Sequence, residues 1–484
     1  VAFRTSSFYL VLALVAAALI GYSETRAFAW DEGFHVLTAQ LILHGKRPYI
    51  DFCFSQTPLN AYWNALLLRV FGESWRPLHA AAALESTVAI GLTAAFVRDR
   101  FPVERWRFPG AILTLLVAGL NVAVIRYGGL AQAYGICLLG VTAAFRFAVA
   151  SPGRRSWLPS ALAGLASGIA AASSLLTAPA IPIYLAWILL YDRQQRRTAK
   201  AVAFLAAVAL PFLPVLWLFV HGPQQVFFGI VQYNFSYRLL NWPGATEHNL
   251  GVYGAWINTG PVLLLILLAI AGLLFTYYRA AWAAERKAEF YLCAWLAAGL
   301  AAYVSYGKPT FERYYVFTVP FLAILAVAGL YTLGTQLYKP DRPWAPILAL
   351  SVLAVFGVVK DLIDVGDNIV WPDLEKVAQK VGEVTTPQQT LYADEAVYFL
   401  ARRTPPSGLE MDDSHKFNFS PERSALLHVI WGGELKREAK AGRFDAVQTC
   451  EDDDYIADHG FVPIYAKSAK VDFCTVFWDL KPRP

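Results

Sequence analysis

Charge is scarce in this sequence: Asp, Glu, Lys and Arg together make up 16% of its 484 residues, while 57% are hydrophobic. A soluble globular chain carries about 25% charge and needs less apolar material to fill its core, so a wholly soluble protein is excluded. Cysteine is sparse too. Cys53, Cys137, Cys293, Cys450 and Cys474 have no paired short spacing and no neighbouring His, which excludes a zinc cluster. Cys450 and Cys474 remain able to form a disulfide if their compartment is oxidising. The net charge is +5, yet the basic residues sit in short clusters and never form the continuous basic face that a phosphate backbone requires, so nucleic acid is excluded as a partner. Glu451-Asp452-Asp453-Asp454 lacks the Gly and the interleaved spacing of a calcium loop and reads as a solvated acidic turn.

What the chain has in abundance is apolar runs, with a mean hydropathy of +0.42. A helix needs about 20 apolar residues to cross a hydrocarbon core. Runs of that kind predict about eleven spans, at 6–22, 77–97, 108–125, 130–150, 157–175, 177–191, 201–220, 259–279, 288–306, 314–336 and 344–363. Residues 1–363 are thus expected to form a transmembrane helical module and 364–484 a soluble domain. Arg4, the run Phe8 to Ile20 and Ala27-Phe28-Ala29 resemble a cleavable signal, but polar Glu24 and Arg26 separate the run from the triplet, and a retained first span is expected.

Orientation turns on residues 157–191, which Ala178-Pro179 interrupts. Two short spans there, with the N-terminus inside, put Arg98, Arg100, Arg105, Arg107, Arg154, Arg155, Arg193, Arg196, Arg197 and Lys200 on the cytoplasmic side. Arg279, Arg286, Lys287, Lys339 and Arg342 join them there, as the positive-inside bias requires. Three long segments then face outward: Ser23 to Arg76, His221 to Asn258, and the C-terminal domain.

The first outward segment opens with Trp30-Asp31-Glu32-Gly33-Phe34-His35, followed by apolar residues at helical spacing up to Gly45. This predicts a short helix on the membrane surface. Taken alone, Asp31 is explained as a cap or as a charge complementing the helix dipole. Asp51 to Leu59 leads into a second amphipathic stretch, Asn60 to Gly72, so two interfacial helices are expected to frame one acidic pocket.

A first span, an Asp-Glu pair on a surface helix, a Pro-Leu-aromatic segment, and an outward Glu312-Arg313-Tyr314-Tyr315 opening a later span together resemble the GT-C glycosyltransferases. Protein O-mannosyltransferases and lipid A aminoarabinose transferases are the nearest in look. The resemblance implies a polytopic all-α membrane bundle with a small outward C-terminal α/β domain. It implies transfer of a sugar from a polyprenyl-phosphate donor to an envelope lipid, glycan or protein, in a bacterial inner membrane. In that family the aspartate of the first outer loop is the catalytic base, which gives that role to Asp31, with Glu32 as a supporting acid.

Such chemistry needs cations for the departing phosphate. Arg313 and Lys308 stand on an outward turn against the positive-inside bias, and Arg238 lies in the later outer loop. Arg126, at the outer end of the third span, is a weaker candidate for the same role. His35, Gln56, Tyr233, Glu247 and His248 are the candidates for the sugar or acceptor pocket, Tyr233 belonging to an aromatic-rich outer loop. The aminoarabinose transferases carry Lys-Pro-Pro where this chain has Gln56-Thr57-Pro58, so phosphate binding has to rest on other residues. Gln132 stands where some relatives have a second acid, and no cofactor or tightly held divalent metal is implied. Glu85, inside the second span, is expected to face protein or a cavity.

In the C-terminal domain, Leu374, Val377, Ala378 and Val381 mark an amphipathic helix after Trp371-Pro372. Thr390 to Ala393, Phe444 to Val447 and Val471 to Trp478 read as strands. Acceptor capture or structural covering would be its role. A lipid or solute transporter is the rival reading, weakened by the absence of any internal repeat. A non-catalytic subunit, in which Asp31 would be replaceable, is a third.

Overall fold

The computed structural model describes residues 2–26, 32–191, 196–236, 244–278, 284–307, 309–337, 343–364 and 369–482. Asp31, Arg238 and Lys308 lie outside them. The chain divides into two units: one of residues 1–23, 79–213 and 242–366, the other of residues 24–78, 214–241 and 367–484.

The first unit is helical. Across the described residues, six helices are long and apolar enough to cross a membrane: Thr5–Thr25, Trp75–Arg100, Arg197–His221, Gly260–Tyr278, Arg286–Tyr306 and Glu312–Gly334. These make the chain an integral membrane protein. The expected eleven spans are not reached by length, because several apolar runs break into shorter helices. The run at 108–125 ends one helix at Gly119, and the Asn121 side chain accepts from the Ala123 amide at 3.0 Å to start another, Val122–Tyr127. The 157–191 run divides at Ser174, whose backbone is extended, into Leu158–Ser173 and Ala180–Tyr191.

Phe96, Phe145, Phe290, Phe317 and Phe321 share one continuous core with Trp106 and Tyr184. One close helix crossing is made by glycine. A Cβ on Gly329 would lie 1.9 Å from the Leu268 carbonyl oxygen and one on Gly272 2.1 Å from that of Leu325, so Gly260–Tyr278 and Val319–Leu337 meet backbone to backbone. Small residues at the contact are what permit such an approach.

The second unit collects the loop that follows the first helix with the C-terminal chain. Both predicted loop helices form, as Gly33–Leu43 and Leu59–Phe71. The C-terminal residues carry a four-stranded sheet of β1 (Leu391–Tyr392), β2 (Ala446–Thr449), β3 (Tyr465–Val471) and β4 (Cys474–Leu480), in the order β1-β2-β4-β3. β1 and β2 run parallel and the remaining pairs antiparallel. β3 was not legible in the sequence, because its Lys-Ser-Ala-Lys stretch is polar and largely exposed. Thr449 pairs with Thr475, so Cys450 and Cys474 flank the ladder and are joined as a disulfide. The helix Trp371–Val384 buries the expected stripe of Trp371, Leu374, Val377, Ala378 and Val381.

Glu410 is the unusual group of this unit. It is 2% exposed, and its Oε2 accepts from the Gly408 amide at 2.7 Å. Burial pushes its carboxyl up to about 7, against the pull of its own and the Gly408 amide and of Lys46. Between the ordinary value of 4.5 and about 7, the unfolded chain has lost this proton while the folded chain keeps it. Stability therefore falls as pH rises through that window, by about 3 kcal/mol in all. Glu410→Gln keeps an acceptor for Gly408 without the ionisation. We expect the full-length variant to melt above the wild type at pH 8, with the gain gone at pH 5, in detergent-phase thermal melts. A variant melting below the wild type at pH 8 would mean that the carboxylate is held by a partner.

Candidate functional site

Glu32 stands at the entry to the Gly33–Leu43 helix, immediately after Asp31. It is fully buried, at 0% exposure, and its Oε2 accepts from Trp371 Nε1 at 2.8 Å. One turn on, His35 is buried, with Nε2 at 3.5 Å from Gln56 Nε2 and its ring 4.1 Å from that of Phe34. The fold thus brings together two residues that lie 21 apart in the chain. Gln56 is held from behind, since the buried Tyr49 hydroxyl donates to its carbonyl oxygen. Tyr49 takes a left-handed conformation, φ 67°, which turns the chain sharply before Asp51. Asp51 itself is paired with Arg47 at 2.8 Å, which lowers its carboxyl below the usual range. It is a local brace of the loop.

The 214–241 segment is tied to the same loop, because Asn234 Nδ2 donates to the Ser55 carbonyl at 3.1 Å. Tyr233, a candidate for the sugar or acceptor pocket, is 3% exposed and packs its ring 5.9 Å from Phe228 and 5.2 Å from Phe417. Its apolar body went into the core of this unit, where Met411, Leu427 and Val429 complete the cluster.

The first unit assembles a second group of candidates. His248 and Arg313 meet around one ring, Phe311. The Arg313 guanidinium lies 4.3 Å over Phe311 and 5.7 Å over Tyr314, and the His248 ring is 5.6 Å from Phe311. Stacking of this kind holds a guanidinium flat against the ring. His248 Nε2 lies 3.0 Å from the Thr310 carbonyl oxygen, and a carbonyl only accepts, so that nitrogen carries a proton. Glu247, the residue before it, is exposed.

Asn249 is the residue that sequence reasoning missed. It is buried, its Nδ2 donates to the Gly307 carbonyl at 2.7 Å, and its Oδ1 accepts from the Thr310 amide at 2.9 Å. It therefore clamps both sides of the turn that presents Arg313. Tyr253 donates to the Ser305 carbonyl, and Trp256 stacks on Tyr315 at 4.2 Å. Ala245, Asn249, Tyr253 and Trp256 share one face of the helix Ala245–Asn258. That spacing was the available signal.

Glu85 is half-buried in the Trp75–Arg100 helix, close enough to Gly135 that a Cβ there would lie 3.0 Å from its Oε2. It faces protein, as the cost of a lipid-facing charge requires. Arg126 sits on the short Val122–Tyr127 helix, and Gln132 is buried beyond it.

No family model and no curated protein matches this sequence. Solved structures do. The crystal structure of ArnT from Cupriavidus metallidurans in the apo state superposes with a TM-score of 0.70 at 14% identity, over 98% of this chain and 98% of that one. The same protein bound to undecaprenyl phosphate gives 0.69, again at 14% identity and 98% coverage of both. The archaeal oligosaccharyltransferase AglB from Archaeoglobus fulgidus, in complex with an inhibitory peptide and a dolichol-phosphate, gives 0.53 at 14% identity, over 92% of this chain and 69% of that one. ArnT and AglB are GT-C glycosyltransferases. This chain has their fold, from its first helix to its C-terminal sheet.

Proposed function

We propose that this protein is an integral membrane glycosyltransferase that moves a sugar from a polyprenyl-phosphate donor to an extracytoplasmic acceptor. The observation that carries the reading is the end-to-end likeness to ArnT, a protein solved with undecaprenyl phosphate bound. Beside it stands the acidic pair Asp31-Glu32 after the first apolar run, in a chain where charge is scarce.

In the proposed reaction Asp31 takes the proton from an acceptor hydroxyl or amine. The acceptor atom forms a bond to the anomeric carbon from the face opposite the phosphate. The bond from that carbon to the phosphate oxygen breaks, and its electron pair leaves with the polyprenyl phosphate. A single displacement of this kind inverts the anomeric configuration. Arg313, with Lys308 and Arg238 as further cations, neutralises the charge that grows on the phosphate. Asn249 and Phe311 hold the Arg313 turn rigid, so the guanidinium need not be ordered when the donor arrives. His35 and Gln56 are the polar groups of the first loop offered to the acceptor, and His248 to the donor sugar.

The topology belongs to the same proposal. The N-terminus is cytoplasmic, and the first outer loop and residues 364–484 lie on the outer face of a bacterial inner membrane. The Cys450–Cys474 disulfide supports an oxidising compartment for that end of the chain.

The test is release of undecaprenyl phosphate by the purified full-length protein. A panel of undecaprenyl-phosphate-linked hexoses and pentoses is supplied together with an envelope extract as acceptor. Turnover with one donor, and label appearing in an envelope glycan, lipid or protein, is the expected result. Translocation of the intact lipid-linked sugar across vesicles, with no release from any donor, overturns it.

A further inference from the structure

The C-terminal helix Trp371–Val384 grips the first outer loop at both of its ends, and the grip begins at the residue beside the proposed base. At the entry, Trp371 Nε1 donates to the fully buried Glu32 carboxylate at 2.8 Å. At the exit, Glu375, one turn further along the same helix, accepts from Trp75 Nε1 at 2.9 Å and from Arg76 Nη1 at 2.6 Å. Arg76 also reaches back to Glu24, at 3.8 Å, on the chain that leads into the loop. The Trp371 and Trp75 rings stack, with centroids 5.5 Å apart and planes 17° from parallel, which joins the two ends through a single aromatic pair.

The adjoining helix Glu395–Leu400 completes the hold. Gly33 lies so close to it that a Cβ would meet the Ala396 amide nitrogen at 2.9 Å. Gln40 Nε2 donates to the Phe399 carbonyl at 3.2 Å and to Glu73 at 2.7 Å. The Gly33–Leu43 helix is therefore fastened at its first and last turns by one C-terminal segment. A carboxylate with no exposed surface cannot meet a solvent-borne acceptor, whereas a buried acceptor of an indole N–H is well suited to fix a helix start.

We infer that Trp371 is a positioning residue for the transfer reaction, acting through Glu32, and that Glu32 is an anchor and not a second acid. This rests on the reading of Asp31 as base. The C-terminal domain then serves to hold the first loop in register for catalysis, a role separate from capturing the acceptor. Misplacing a reacting group by about an ångström costs on the order of a hundredfold in rate, so a kcat effect is expected from groups that touch no substrate.

The test uses the full-length protein and whichever lipid-linked sugar of the panel gives turnover. Trp371→Phe keeps the ring against Trp75 but removes the N–H. Glu32→Ala removes the acceptor. Each should lower kcat by about 10- to 100-fold with the donor KM within about twofold, and the double variant should be no worse than either single one. Glu32→Gln is the conservative rescue, because its amide oxygen still accepts from the indole; it should retain activity within about threefold. Inactive Glu32→Gln beside unaffected Trp371→Phe overturns the inference, since that pattern belongs to an acid that exchanges protons. Additive losses in the double variant overturn it as well. If Trp371→Phe does not fold, the contrast of Glu32→Gln with Glu32→Ala decides, with the indole intact. Asp31→Asn is run alongside: a variant that still transfers sugar removes the proposed base. An inactive one with the wrong Glu32 and Trp371 pattern removes only the positioning role.

Discussion

Asp31→Asn should abolish transfer, lowering kcat by about 10³-fold or more while leaving the donor KM nearly unchanged. General bases contribute on the order of 10²- to 10⁴-fold, and a carboxamide has the shape and hydrogen-bonding reach of the carboxylate without its ability to take a proton. In the proposed mechanism the donor is recognised through its phosphate, which the substitution does not touch, so the loss belongs in kcat and not in binding. Single-turnover measurements in detergent or nanodiscs, on variants shown to be folded by their melting curve, make the comparison clean. Residual activity should rise with an acceptor of lower pKa, because such an acceptor needs less help to lose its proton. An Asp31→Asn variant with near-normal turnover would return Asp31 to a role at the helix start, as a cap or a dipole-complementing charge.

The second large effect concerns the cation. Arg313→Ala should reduce kcat/KM by roughly 10²- to 10³-fold, since a preorganised donor aimed at developing charge is worth about that much. Arg313→Lys should recover only part of the loss. Lysine restores the charge but neither the planar, two-pronged hydrogen bonding nor the stack on Phe311, 4.3 Å away. Binding of undecaprenyl phosphate, followed by intrinsic fluorescence or by protection from proteolysis, should weaken in the same order. Asn249→Ala gives a milder version, because it releases the turn without removing the guanidinium. If Arg313→Ala binds undecaprenyl phosphate as the wild type does, then Arg313 anchors the protein at the lipid interface and the phosphate is held elsewhere.

Much of the architecture could be read from composition and periodicity, and the particular elements say why. Apolar runs set which segments belong in a membrane, since about 20 uninterrupted apolar residues have few other stable uses. The amphipathic spacing of Leu374, Val377, Ala378 and Val381 set the C-terminal helix and its buried face. Span counting was weaker, because a run such as 108–125 is apolar but for Thr114 and Asn121 and is divided by one side-chain cap at Asn121, a local hydrogen bond that hydropathy does not register. β3 escaped notice for the converse reason: its pairing with β4 comes from the backbone, and its exposed side chains carry no alternating pattern.

The candidate site divides along the same line. By itself the sequence determined that this is a membrane protein in which charge is scarce, and that an acidic pair, an arginine at the start of a late apolar run and a few histidines are therefore the groups to examine. Those conclusions follow from the cost of charge in lipid and need no partner to be known. Tertiary structure alone decided which distant residues meet. Glu32 and Trp371 are 339 residues apart, Trp75 and Glu375 300 apart, and Asn249 lies 58 residues from the Gly307 carbonyl it holds. Contacts at such separations leave no local periodicity in the chain, because each is created only when distant segments pack. A buried carboxylate and an exposed one are the same letter until that packing is known.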